Sequence, residues 1–122
     1  MVWRLEHVQL AIGKGDEERC DAFYVGVLGF EVLEKPPLLA ERGGRWYQRD
    51  EAVLHLGVVE SFSPAKKAHP ALLVDDYDHL LGRLEAAGID IRPDEAIPGR
   101  RRSYVHDPVG NRIELVDGAS PR

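Results

Sequence analysis

The 122-residue chain predicts an α+β fold of two tandem β-α-β-β-β modules. Their strands are expected to form a curved, cup-like mixed sheet with the helices on its outer face. Three observations carry this expectation. Four short segments alternate apolar and polar residues as β-strands do, and His7, His55, His69 and Glu114 lie one in each. These groups recur along the chain: His69 follows His7 by 62 residues (69 − 7), and Glu114 follows His55 by 59 (114 − 55). Gly29 and Gly88, each closing a helical stripe, are also 59 apart (88 − 29).

The first module covers about residues 1–60. Its opening strand, Leu5 to Ile12, puts Val8, Leu10 and Ile12 on one face and His7, Gln9 and Ala11 on the other. Gly13-Lys14-Gly15 breaks the strand, and Asp16 is placed to cap a helix with Glu17 and Glu18 in its first turn. Cys20, Phe23, Tyr24, Val27 and Leu28 make its apolar stripe, and Gly29 stops it. Phe30 to Leu33 resumes an extended strand. Pro36-Pro37 opens a loop to Gly43-Gly44, a lid candidate. Arg45 to Arg49 and Ala52 to Val59 form a hairpin turning at Asp50-Glu51, which pairs Trp46 with His55.

A linker over residues 60–67 leads to the second module, about residues 67–118. Ala68 to Val74 is its first strand, and Pro70 suits an edge or bulge. Asp75 or Asp76 caps a helix with the stripe Tyr77, Leu80, Leu81 and Leu84, stopped by Gly88. Ile89 to Ile91 mirrors Phe30 to Val32. Arg101 to His106 and Asn111 to Val116 form a last hairpin around Asp107-Pro108-Val109-Gly110. Pairing His106 with Asn111 would set Ser103 opposite Glu114 and put Arg101 on Glu114's face. His106 would then point away from that face, and His79 lies off the helical stripe, at the surface.

Composition narrows the function. A net charge of −5 favours solubility and argues against a nucleic-acid surface. The one basic cluster, Arg100-Arg101-Arg102, is too short for a nucleic-acid tract. The single cysteine, Cys20, allows no internal disulfide, as in a reducing compartment. No apolar run approaches the roughly 20 residues that span a bilayer. The first six residues lack a signal-peptide layout, so a cytoplasmic location is expected.

Each of the four ionisable residues, taken alone, is an ordinary strand residue: a hydrogen-bonded histidine or a solvated glutamate. Four such groups on the less apolar faces of strands in one sheet would converge. Their joint burial is costly without a counter-ion, and a divalent cation resolves it. Imidazole and carboxylate donors suit Zn²⁺, Fe²⁺, Co²⁺, Ni²⁺ or Mn²⁺, and disfavour Ca²⁺.

The segments His7 to Ile12, Phe23-Tyr24 before Leu28-Gly29-Phe30, His69 to Asp76 and Asp107 to Leu115 resemble those of the vicinal oxygen chelate superfamily. That superfamily includes glyoxalases, extradiol dioxygenases, fosfomycin-resistance enzymes, epimerases and bleomycin-binding proteins. The resemblance spans nearly the whole chain. It implies one glyoxalase-like domain over residues 1–122, with metal ligands from the first and last strands of each module. By position these are His7, His55, His69 and Glu114. A carboxylate is usual in the glyoxalase branch where this chain has His55, and glutathione-recognising features are not evident.

The expected function is a divalent-metal-dependent lyase or isomerase acting on a small oxygenated substrate through bidentate chelation. Glu114 is a candidate base, and Arg101 and Trp46 are candidate substrate-binding residues. One alternative is a resistance protein that sequesters a small molecule without chemistry. Another is ring-cleaving dioxygenation of the extradiol type. A homodimer is expected, with the site built within one chain or across two.

Overall fold

The computed structural model describes residues 1–121; Arg122, the last residue of the expected domain, lies outside them. The chain divides into two compact units, Met1–Pro64 and the residues from Ala65 onward. Each unit has its own four-stranded mixed sheet, where the sequence reading drew one curved sheet. Among the described residues no helix is long and apolar enough to cross a membrane.

In the first unit the order is β1 (Val8–Ile12), α1 (Glu17–Tyr24), β2 (Glu31–Leu33), α2 (Pro37–Ala40), β3 (Arg45–Arg49) and β4 (Ala52–Val58). The strands lie in the order β1-β4-β3-β2, with β1 parallel to β4 and the other pairs antiparallel. Alternation sorts the sheet into two faces, as the sequence predicts. One face packs under α1. Ile12, Tyr47, Leu54 and Leu56 are at most 2% exposed, as are Cys20, Phe23 and Tyr24 of the helix. Tyr24 and Tyr47 stack with ring centroids 5.1 Å apart. Each large apolar side chain buried there contributes about 1.5–3 kcal/mol. The other face carries one row across all four strands: Gln9, His55, Trp46 and Leu33.

Local chemistry departs from expectation at three points. Asp16 sits at the N-cap of α1 without a side-chain cap bond; its carboxylate accepts the Gly13 N–H at 2.9 Å instead. Helix α1 ends at Tyr24, before the end of its predicted stripe, in a widened turn. There the Gly26 and Leu28 amides donate to the carbonyls of Asp21 and Phe23, at 3.1 and 2.9 Å. The loop after β2 is not open throughout, because Pro36 and Pro37 start the short helix α2.

The second unit runs β5 (Ala71–Val74), α3 (Tyr77–Ala86), β6 (Arg92–Pro93), β7 (Arg102–His106) and β8 (Arg112–Asp117). Its sheet order, β5-β8-β7-β6, repeats that of the first, with β5 parallel to β8. Tyr77, Leu80 and Leu84 of α3 are buried with Val105, Ile113 and Leu115. The Tyr77 hydroxyl donates to Ser103 Oγ at 2.7 Å, which satisfies the buried serine. Pro70 falls just before β5 rather than inside it, and its carbonyl accepts the Glu114 N–H at 3.0 Å.

The β7–β8 hairpin corrects the predicted register. His106 pairs with Arg112, Tyr104 with Glu114 and Ser103 with Leu115. The turn accounts for the extra residue. The Asp107 carboxylate accepts the Val109 N–H at 3.1 Å, the Asn111 N–H at 2.8 Å and the Asn111 side-chain amide at 3.0 Å. Asn111 is thereby held in the loop instead of the ladder. A slip of one residue moves every side chain of a strand to its other face. Arg101 therefore goes to the side of α3, and Arg102 takes the place beside Glu114. His106, expected to point away, shares Glu114's face.

Candidate functional site

The structure brings the four predicted ligands together two by two, one pair in each unit. Among the described residues no three His, Cys, Asp or Glu side chains are grouped as a ready metal site.

In the first unit His7 lies immediately before β1. Its ring stacks on His55 at 4.0 Å and 20°. His55 stacks in turn on Trp46 at 4.4 Å and 10°. The two-residue turn predicted at Asp50-Glu51 produces this pairing, with Asp50 at a φ of 51°. The Glu6 carboxylate meets His7 Nδ1, which orients the ring and leaves Nε2 for another partner. Burial chiefly disfavours the charged form of His55. The neighbouring His7 and the ammonium of Lys35 add to that, and Glu6 opposes it, so its pKa lies below the ordinary histidine value. A neutral imidazole is the form that ligates a metal.

In the second unit His69 Nε2 lies 2.9 Å from Glu114 Oε1. His69 Nδ1 lies 2.8 Å from the Lys67 carbonyl. A carbonyl only accepts, so Nδ1 carries a proton. A neutral imidazole in that tautomer turns its Nε2 lone pair on a carboxylate oxygen. Two acceptors that close require a proton or a cation between them. Two bonds of about 2.1 Å meeting near a right angle span about 3 Å, so the separation fits two adjacent ligands of one ion. The donor types and the orienting contacts on His7 and His69 fit a divalent transition metal.

Sequence reasoning missed Arg102. Its side chain is 9% exposed, and it donates to Glu114 Oε2 at 3.2 Å and to the Tyr104 hydroxyl at 2.9 Å. It also pairs with Asp94 at 3.0 Å. Its Nε is a buried donor without a partner among the described residues. Burial pushes the Glu114 pKa up, but a proton on His69 Nε2 shared with Glu114 and the bond from Arg102 outweigh it, and the net shift is downward. Glu114 is thus an anion at neutral pH. Tyr104 completes the cluster, edge-on to His69 at 5.2 Å and covered by the Arg112 guanidinium at 3.8 Å. The spacing of Arg102 from Glu114 held the signal, but only with the correct turn length. Arg101 instead bonds Asp78 at 2.6 Å and lies over the Tyr77 ring.

The family profile for the Glyoxalase/Bleomycin resistance protein/Dioxygenase superfamily matches residues 4–115. The chain belongs to that superfamily. Among solved superfamily structures, a protein assigned to the glyoxalase family from Bacillus anthracis is 41% identical. It superposes with a TM-score of 0.91, over 96% of each chain. The uncharacterized protein YwkD from Bacillus subtilis (strain 168) is 30% identical, over 88% of this chain and 93% of its own. A point mutant of the fosfomycin resistance protein FosX from Listeria monocytogenes, crystallised with Mn(II) and 1S,2S-dihydroxypropylphosphonic acid, shares the fold. Its TM-score is 0.75 at 18% identity, covering 98% of this chain and 95% of that one. The superfamily's own description joins glyoxalases and dioxygenases with a resistance protein.

Proposed function

We propose that the protein is a divalent-metal-dependent enzyme, a lyase or isomerase acting on a small oxygenated substrate, with residues 1–122 working as one glyoxalase-like domain. One observation carries this reading. In each unit a pair of ligand-type side chains stands in contact on the face away from the helix: His7 with His55, and His69 with Glu114. His7, His55, His69 and Glu114 would hold one Zn, Fe, Ni, Co or Mn ion, within one chain or across a homodimer. When bound, the ion would supply Lewis acidity toward two neighbouring substrate oxygens.

The protein's own groups do the rest. Glu114, ionised and steered by Arg102, would accept a proton from the substrate only once its carboxylate has turned away from the ligand position beside His69. Trp46 offers an apolar wall beside His55. Arg102 and Tyr104 place donors next to Glu114 for charge that develops on substrate oxygen.

A second reading draws on one specific fact. Both oxygens of Glu114 already have protein partners, as a structural ion pair in a metal-free small-molecule binder would. Elemental mass spectrometry on untagged protein purified without chelator separates the two. The enzyme reading expects near one divalent ion per chain in the wild type and loss of it in Glu114→Ala. Protein that carries no metal and takes none up on reconstitution would leave the sequestering reading.

A further inference from the structure

The face that carries His55 has a second polar feature, at the next row of the first unit's sheet. Gly57 follows His55 by two residues in β4 and pairs with Ala11 of β1. Neither residue fills the surface, so the row beside His55 is a low floor. The Gln9 side chain leans over it: a Cβ on Gly57 would stand 2.6 Å from Gln9 Nε2. On the β2 side the floor is bounded by Lys35, two residues beyond Leu33 and so on the same face as Trp46 and His55. The Lys35 ammonium reaches the Gly43 carbonyl and lies 3.5 Å from where a Gly44 Cβ would stand. Lys35 is half-buried, and among the described residues it forms no ion pair. A half-buried ammonium with only a neutral carbonyl as partner is a charge without compensation.

We propose that Lys35, together with the side-chain amide of Gln9, is a subsite for an anionic group of the substrate, of the phosphate-monoester type. The inference rests on the proposed function only in placing the reacting end of the substrate next to His55. Lysine is a compact point charge with rotatable donors, which can follow the several oxygens of a tetrahedral phosphate without a planar match. The glycine floor lets a tetrahedral oxyanion approach the strand, and the Trp46 ring borders it.

The test uses metal-free protein, so it does not depend on the metal reading. Inorganic phosphate is titrated into ¹⁵N-labelled protein, with acetate as the comparison anion. Saturable shifts at the Trp46 indole and the Gly57 amide are expected with phosphate. Affinity should fall about tenfold in Lys35→Gln and be kept in Lys35→Arg. Because Lys35 also ties the loop at Gly43, Gly57→Ala is the independent variant. It leaves the lysine in place, fills the floor and displaces Gln9, and should weaken phosphate binding as well. Shifts that do not saturate, acetate binding as tightly as phosphate, or wild-type affinity retained in Lys35→Gln or in Gly57→Ala would each overturn the proposal. Lys35→Gln purified separately without chelator should carry as much metal as the wild type, which keeps failure of this subsite distinct from failure of the metal site.

Discussion

Arg102 is the residue on which the second unit's polar cluster depends. It satisfies Glu114, Asp94 and the Tyr104 hydroxyl at once. Removing one member of a buried ion-pair network leaves the others uncompensated, which costs more than the network gained. Arg102→Met is therefore expected to lose about 3 kcal/mol in urea denaturation. Arg101→Met, at a solvent-exposed pair on the other face, should leave the midpoint nearly unchanged. Equal losses in the two variants would contradict the observed register. His55 shows a related economy. Its ring lies between His7 and Trp46, and burial holds it neutral. Its sequence position was legible from strand alternation, but its pKa shift needed the packing of both neighbours.

At the level of elements, α1 is fastened to the sheet by polar contacts as well as by its apolar face. Asp21 accepts the Tyr47 hydroxyl at 2.6 Å and Arg45 Nε at 3.1 Å, and Glu17 accepts the Gly44 N–H at 2.9 Å. Burial, then the bond to Asp21, pushes the Tyr47 pKa far above its ordinary value of 10.0. The native state therefore keeps this proton when the unfolded chain has lost it. Its contribution is complete below about pH 10 and declines as pH rises further. Tyr47→Phe should lose about 1 kcal/mol at neutral pH. Above about pH 10 its stability should decline less steeply than that of the wild type. Chemical denaturation at several pH values reads both, and parallel alkaline limbs would rule out this role. Hydropathy alone pointed to the α1 stripe. The Asp21 network was invisible there, because a polar residue on a helix reads as solvated until its partner strand is in place.

For the whole molecule, the duplicated pattern has an energetic consequence. If one ion is held by both pairs, a lesion in either unit should remove it. Saturating Zn²⁺ or Mn²⁺ at 100 times its dissociation constant stabilises a protein that binds it only when folded by about 2.7 kcal/mol. Thermal melts with and without metal should show that gain in the wild type. They should show none in His7→Ala and none in His69→Ala. Retention in one of the two would place the ion in a single unit.

Much of this protein was written into its periodicities. Strand alternation assigned His7, His55 and Trp46 to the face away from the helix, and the spacing of Gly29 and Gly88 revealed the repeat. Those readings need only local geometry: the two-residue period of a strand and the left-handed stop of a helix. Tertiary structure decided the rest, and the Asp107-Asn111 turn shows why. Its carboxylate draws one more residue into the loop than turn rules suggest. That single residue exchanges Arg101 for Arg102 beside Glu114. Register is a sum over local lengths, so an error of one inverts a face, and only the side-chain contacts of the folded turn determine that length.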